Sequence, residues 1–172
     1  MEDLTQAREI PLSQGKVALV DDEDYTYLSQ WKWHAHRSAA GIWYARRAGM
    51  TTTVPSGWTT ALLHNVIMQP TAGYEIDHED GDGLNNQRSN LRIATHTQNM
   101  ANKRLTCNNT SGYKGVSLVR KSGKWKAQIN IDGKRTYLGV FDDPVAAARA
   151  YDEAATEQFG EFAYLNFDLV GS

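Results

Sequence analysis

The segment from Tyr74 to Met100 concentrates residues able to do chemistry: Tyr-Glu-Ile-Asp77-His78-Glu-Asp80-Gly-Asp82-Gly-Leu-Asn85-Asn86-Gln-Arg-Ser-Asn90-Leu-Arg92-Ile-Ala-Thr-His96-Thr-Gln-Asn99-Met. Aspartate and asparagine oxygens suit a hard cation such as magnesium. A neutral imidazole beside such an ion can take a proton from water. An ion close to a phosphate would stabilise negative charge on a departing oxygen. For these groups to converge, Glu75–His78 and Leu91–Ala94 must be two strands joined by a long polar loop. A helix starting near Thr95 or His96 must then carry Asn99. Other readings stand beside this one. Asp80-Gly-Asp82-Gly resembles a calcium loop, but Leu84 falls where an EF-hand ligand is needed. Asn-rich loops form turns and caps, and a single His78 can be purely structural. A zinc centre from His64, His78 and His96 has no short ligand spacing to support it.

The same residues resemble the HNH endonuclease motif, in the asparagine-ending version of phage and intron homing endonucleases. The match falls on Leu63-His64, Ile76-Asp77-His78, Asp80-Gly81, Asn85-Asn86, Asn90-Leu91-Arg92 and Asn99, with weaker similarity over residues 9–103. The resemblance implies a ββα-metal nuclease in which Asp77 and Asn99 hold Mg2+ or Mn2+. It makes His78 the general base, and Asn90 the residue that orients the loop or His78. Asn99 replaces the final histidine of the motif's name. Arg92, His64 and His96 are secondary candidates. His96 is read as a helix cap in preference to a phosphate contact, and His64 faces the site or packs. His34 and His36 are read as structural.

The frame around this motif is an α+β chain of 172 residues, with 41% hydrophobic and 22% charged residues. That composition is globular. No apolar run approaches the ~18 residues of a membrane span. The acidic N-terminus lacks the apolar core of a signal peptide. Cys107 is the single cysteine, which excludes a disulfide scaffold and points to a reducing cytoplasm, that of a bacterial host or phage-infected cell. A strand is expected over 15–20, a helix capped by Asp21 or Asp22 through about Gln30, and strands at Trp31–His36 and Ile42–Arg47. Thr59 or Thr60 is expected to cap a helix ending near Met68. Residues 1–55 serve as scaffold or as a further DNA contact.

The net charge of −2 is unevenly spread: residues 1–100 hold 8 Lys/Arg and 12 Asp/Glu, residues 101–135 hold 9 and 1, and residues 136–172 hold 1 and 7. The basic block falls on a sheet. Trp125, Ala127, Ile129 and Ile131 alternate with Lys124, Lys126, Gln128 and Asn130, and Asp132-Gly133 then marks a two-residue hairpin turn. The predicted register sets 131 opposite 134, 129 opposite 136, 127 opposite 138 and 125 opposite 140. Leu138 and Val140 would join the apolar face. Lys126, Gln128, Asn130, Arg135 and Tyr137 would share the polar one. Tyr113–Val119 supplies a third strand. Asp143-Pro144 opens an amphipathic helix that Gly160 ends, with Asp152 and Glu153 read as surface residues. Residues 108–167 resemble the plant APETALA/ethylene-response-factor DNA-binding domain. The segments carrying this are Tyr113-Lys-Gly-Val116, Gly123-Lys-Trp125, Gly133-Lys-Arg-Thr-Tyr-Leu-Gly-Val-Phe141 and Ala147-Ala-Arg-Ala-Tyr-Asp152. That family's DNA contacts fall here on Lys114, Asn130, Arg135 and Tyr137. Lys114 and Asn130 stand where the plant proteins have Arg, and Tyr137 where they have Trp, so the plant target sequence does not carry over.

The combined expectation is a monomer with an HNH nuclease region over 1–107 (motif 60–103, scaffold 1–59) and a DNA-binding domain over 108–172. It would hydrolyse one strand of double-stranded DNA with a divalent metal, leaving a 3′-hydroxyl and a 5′-phosphate, without a membrane or an obligate protein partner. The rival is a non-catalytic DNA-binding regulator that keeps a nuclease-like fold.

Overall fold

A computed structural model describes residues 6–49, 59–105 and 109–167. The chain divides into two compact units, Met1–Ala94 and Thr95–Ser172. It is a mixed α/β chain built on small antiparallel sheets. Cys107 lies outside the described residues.

The first unit opens with a hairpin of β1 (Ala7–Pro11) and β2 (Val17–Asp21), followed by α1 (Asp22–Leu28). Asp21 precedes the helix but makes no capping bond with its side chain. Its carboxylate is engaged elsewhere, as described below. Strands β3 (His34–Arg37), β4 (Trp43–Gly49) and β5 (Thr59–Leu62) form the next sheet. The strand expected from Trp31 begins only at His34. Trp33 instead turns into the core, and its Nε1 donates to the Leu28 carbonyl at 2.9 Å. The helix expected from Thr59 is also corrected. Thr59–Leu62 is a strand paired with β4, and α2 is limited to Leu63–Met68. The β-branched threonines suit a strand once a partner edge is present. A last hairpin joins β6 (Glu75–His78) to β7 (Leu91–Ala94), as the motif spacing requires. Ile10, Val20, Leu28, Trp33, Leu63, Ile67, Ile76 and Leu91 make one buried core. That core ties β6 and β7 to the N-terminal elements.

The second unit begins with α3 (His96–Ala101). Thr95 caps it: its hydroxyl accepts from the Gln98 amide while the Gln98 side chain accepts from Thr95 N, a reciprocal capping box. The cap is therefore Thr95 and not His96, which is exposed in the first turn. Strands β8 (Val116–Val119), β9 (Lys124–Ile131) and β10 (Lys134–Phe141) follow, in spatial order β10-β9-β8. Helix α4 (Pro144–Phe159) covers one face. Asp143 caps α4 by accepting from Ala146 N at 2.8 Å. At the hairpin turn Asp132 and Gly133 both have positive φ, 49° and 77°, as a type I′ turn demands.

The predicted hairpin register holds from 131/134 to 129/136, and continues to Gln128↔Tyr137. It then slips by one residue, so that Gly139 faces Ala127, Val140 faces Lys126 and Phe141 faces Trp125. An extra residue at Leu138 makes this bulge, and every side chain beyond it changes face. Phe141 joins the core in place of Val140, which is exposed.

Asp152 is also corrected. It is buried, and its two carboxylate oxygens accept from Asn166 N and Asn166 Nδ2 (both 2.9 Å) and from Phe167 N (3.0 Å). This pins the C-terminal segment onto α4. Asp152→Ala should lower stability by roughly 2–4 kcal/mol, because three donors lose their acceptor. Glu153→Ala, on the exposed side of the helix, should stay within about 0.5 kcal/mol. Urea unfolding midpoints of the two variants measure the difference.

Candidate active site

Strand alternation gives β6 two different faces. Ile76 and His78 point toward the core side, while Asp77 lies directly across from Arg92 of β7. The Asp77 carboxylate is 3% exposed, and its Oδ2 accepts from Arg92 Nη2 at 2.5 Å and Nε at 3.2 Å. A buried carboxylate without a counter-charge would be strongly destabilising. Arg92, which also lies 3.8 Å from Glu79, supplies that counter-charge.

His78 is buried and sits in a small aromatic group. Its ring meets the His64 ring nearly at right angles, with centroids 4.9 Å apart, and lies 5.9 Å from the Tyr44 ring. Its Nε2 is 3.4 Å from Asn86 Oδ1. Asn86 is fully buried and donates its amide Nδ2 to the Leu84 carbonyl at 3.0 Å, which turns its oxygen toward His78. An amide oxygen only accepts, so a hydrogen bond to Asn86 calls for the tautomer with the proton on Nε2. Burial lowers the His78 pKa, and the Asn86 bond and the charges of Asp80, Asp77 and Asp82 oppose that shift. His64 is lowered to about 3, first by burial and then by its neighbour His78. Its Nδ1 is buried with no hydrogen-bond partner among the described residues. The Tyr44 hydroxyl is raised by burial and by Asp77.

Side chains set the shape of the loop that joins β6 to β7. Asp80 Oδ1 accepts from Asp82 N (2.8 Å) and Asn90 Nδ2 (3.0 Å), and its Oδ2 accepts from Asn85 Nδ2 (2.8 Å). Asn90 returns its own oxygen to Asp80 N at 3.0 Å and also donates to the Asn85 carbonyl at 2.8 Å. Burial pushes the Asp80 pKa up, but these bonds outweigh it and hold the carboxyl below its ordinary value. Asn90 thus organises the loop, while Asn86 is the residue bonded to His78. Asn86 carried a signal in the Asn85-Asn86 pair, but spacing alone does not say which amide is buried.

The N-terminal elements complete the frame. Leu19 N donates to the Leu84 carbonyl and Asn86 N to the Leu19 carbonyl, both at 2.8 Å, so β2 straps the loop. Asp21 accepts from Gln87 Nε2 (3.1 Å) and Arg88 N (2.8 Å), and Arg88 makes a two-pronged contact with Asp24 at 2.8 Å. Gly83 runs against β4: a Cβ there would lie 2.4 Å from the Trp43 carbonyl and 2.5 Å from the Tyr44 ring. Leu19, Asp21, Asp24, Trp43 and Tyr44 thus act as scaffold for this loop, one of the two roles left open for residues 1–55.

Asn99 and His96 lie on α3, in the second unit. Among the described residues no three side chains of His, Cys, Asp or Glu form a metal cage. The Asp77 carboxylate and the Asn99 amide are oxygen donors of the type magnesium takes, one or two at a time, alongside water and phosphate.

In the second unit Lys126, Gln128 and Asn130 alternate along one face of β9. Tyr137 stands opposite Gln128, and Arg135 opposite Asn130. Asn130, Arg135 and Tyr137 are exposed, Tyr137 at 63%. Lys114 does not join them. Its Nζ donates to the Ala101 carbonyl and lies 5.3 Å from the Tyr164 ring, and burial lowers its pKa to about 8. Its backbone is held by Asn166. The residue is a strut inside the unit, so the contact position suggested by the plant pattern is corrected here.

A β-hairpin bearing a buried Asp-His pair, closed by an Asp80–Asn90 lock, defines a nuclease motif of the HNH class. The family model for HNH endonucleases matches residues 63–101. Protein 3.8 of Escherichia phage T7 is 40% identical over 91 residues, covering 53% of this chain and 74% of that protein. An uncharacterized HNH endonuclease, L560, of Acanthamoeba polyphaga mimivirus is 29% identical over 156 residues, covering 89% of this chain and 76% of its own length. APETALA2-like protein 2 of Oryza sativa subsp. indica is 48% identical over 60 residues, 35% of this chain, and the chain spans only 14% of that relative. The chain belongs to the HNH endonuclease family and joins that motif to an APETALA2-type domain.

The two buried imidazoles make the stability of the first unit pH-dependent. A histidine whose folded pKa lies below its unfolded value of about 6.5 binds its proton only on unfolding. Its contribution is complete above pH 6.5 and is lost as the pH falls. For His64 the loss between pH 6.5 and 5 should be about 1–2 kcal/mol. His64→Gln should flatten that part of the profile in urea titrations across this range.

Proposed function

We propose that this protein is a divalent-metal-dependent DNA endonuclease that nicks one strand of a duplex. The observation that carries the reading is the His78–Asn86 bond, which leaves a base nitrogen on an imidazole that burial keeps neutral. In this reading His78 Nδ1 takes a proton from the attacking water, in line with the departing 3′ oxygen. Asn86 and His64 hold the ring, and Asn90 holds the loop beneath it. Asp77 and Asn99 would hold Mg2+ or Mn2+, which supplies charge stabilisation for the phosphate and the leaving oxygen. The products would be a 3′-hydroxyl and a 5′-phosphate. One such centre cuts one strand, so a monomer suffices, working in the cytoplasm of a bacterial host or a phage-infected cell. The outer face of the β8–β10 sheet, with Lys126, Gln128, Asn130, Arg135 and Tyr137, would enter the major groove of double-stranded DNA and select the site.

Supercoiled plasmid should be nicked with magnesium or manganese and left intact with chelator. His78→Ala should lose nicking by on the order of a hundredfold or more while duplex affinity persists. Asp77→Asn should abolish nicking and weaken metal binding measured by calorimetry. A folded His78→Ala variant that nicks normally removes the base assignment. A protein that binds DNA but never nicks with any divalent metal is the non-catalytic regulator instead.

The sheet-face reading is checked separately. Arg135→Ala in the full chain should weaken duplex binding by roughly 1–3 kcal/mol if the guanidinium reads a guanine, and relax preference at that base. Lys114→Ala should leave the salt dependence of binding unchanged, since its amine is committed inside the unit. Titrations at several salt concentrations, against matched and scrambled duplexes, distinguish the two.

A further inference from the structure

The average charge of the first unit conceals a segment without acid. From Tyr25 to Tyr74 there is no Asp or Glu, while Lys32, Arg37, Arg46 and Arg47 all fall within it. This stretch builds the β3–β4–β5 sheet. The pairing register sorts its side chains. Ala35, Ala45 and Ala61 are buried on the inner face. Arg47 also lies on that face, stacked 4.4 Å from the Trp31 ring. On the outer face His34 stands opposite Arg46, His36 stands opposite Tyr44, and Ala48 stands opposite Thr60. His34, Arg46, Ala48 and Thr60 are exposed. Tyr44 ends this row, and its ring lies 5.7 Å from His64 and 5.9 Å from His78.

The cations of the first unit divide by partner. Arg8, Arg88 and Arg92 are paired with carboxylates. Lys16, Arg37 and Arg47 lie over tryptophan rings. Neither Lys32 nor Arg46 has a carboxylate or a ring among the described residues, and of these two it is Arg46 that projects from the outer face of β4, the face that leads to His78. An exposed guanidinium with no counter-ion among the described residues, flanked by two histidines and a threonine, matches a polyanion with evenly spaced charges. Arg46 is two residues along β4 from Tyr44, about 7 Å, which places it one or two phosphates from a strand lying over His78.

We infer that the outer face of β3–β4–β5, through Arg46, His34 and His36, grips the DNA backbone beside the scissile phosphate, independently of the β8–β10 sheet. The location rests on the nuclease reading, but the contact itself does not require cleavage. It is tested by binding of the full chain, in chelator, to a short mixed-sequence duplex between about 50 and 200 mM salt. Arg46→Ala should weaken binding roughly three- to tenfold and reduce the salt slope by about 1, equally for unrelated sequences. Arg46→Glu should weaken it further, and Arg46→Lys should keep most of it. Arg8→Ala, whose guanidinium is paired with Asp22, should change neither quantity. The inference is overturned if Arg46→Glu binds as tightly as the parent with the same slope, or if Arg8→Ala has the same effect as Arg46→Ala. Plasmid nicking with magnesium by the same variants separates the two readings. Nicking by the parent together with tight binding by Arg46→Glu defeats only this contact, and the Arg46 effects on binding without any nicking defeat only the nuclease.

Discussion

The first unit depends on one polar interaction, the reciprocal pairing of Asp80 with Asn90. The loop between β6 and β7 has little apolar surface to bury, so the hydrophobic effect does not shape it. Two side chains ten residues apart would not stay together in water for the strength of one hydrogen bond. Here each serves the other's backbone or side chain, and Asn85 and Asp82 join them, so the bonds reinforce one another. Without that closure Asn86 has no fixed position, and without Asn86 the proton on His78 has no assigned nitrogen.

The lock is local, but the loop must also be held against the rest of the unit. The N-terminal hairpin does this with backbone bonds at Leu19 and a carboxylate at Asp21. Both belong to residues that a motif reading passes over. Asp21 looks like a helix cap because a carboxylate before a helix usually is one. It accepts instead from a residue 67 positions later. Gly83 makes the same point from the other side: the loop lies so close to β4 that a side chain there would occupy the Trp43 carbonyl.

What was legible in the sequence follows from how local each cause is. The Asp132-Gly133 turn, the capped start of α4 and the β6–β7 hairpin depend on neighbours within a few residues, and each reads correctly. The strand at Thr59–Leu62 depends on pairing with β4, so the chain by itself favours a helix starting one turn too early. The bulge at Leu138 leaves no mark in an alternating pattern that is already apolar on both sides, and it exchanges Val140 for Phe141 in the core. Asp152 and Lys114 are charged residues whose partners, Asn166 and the Ala101 carbonyl, come from distant parts of the unit. Residue type said surface for both, and packing decided otherwise. At the candidate site Asp77, His78 and Asn90 were recognisable by spacing, whereas Asn86 was recognisable only once its burial and its bond to Leu84 were known.

Charge shows the same limit in reverse. Summed over residues 1–100 the chain is acidic, and a search for basic blocks passes to residues 101–135. Several acids of the first unit nevertheless cluster in two places: in α1, where Asp22, Glu23 and Asp24 meet Arg8 and Arg88, and in the loop, where Asp80 and Asp82 accept from amides. Most of them are spent on internal contacts. The sheet between them carries on its open face Arg46, which has no carboxylate partner among the described residues. Contacts to phosphate position a protein on a duplex, and contacts to base edges select a sequence. A polar sheet face carrying Gln128, Asn130 and Arg135 suits selection, and a guanidinium next to Tyr44 suits positioning. On the proposed reading both are needed, because a base at His78 would tolerate little displacement of the phosphate it must reach. Divided between two sheets in this way, those two tasks would account for the uneven distribution of charge along the chain.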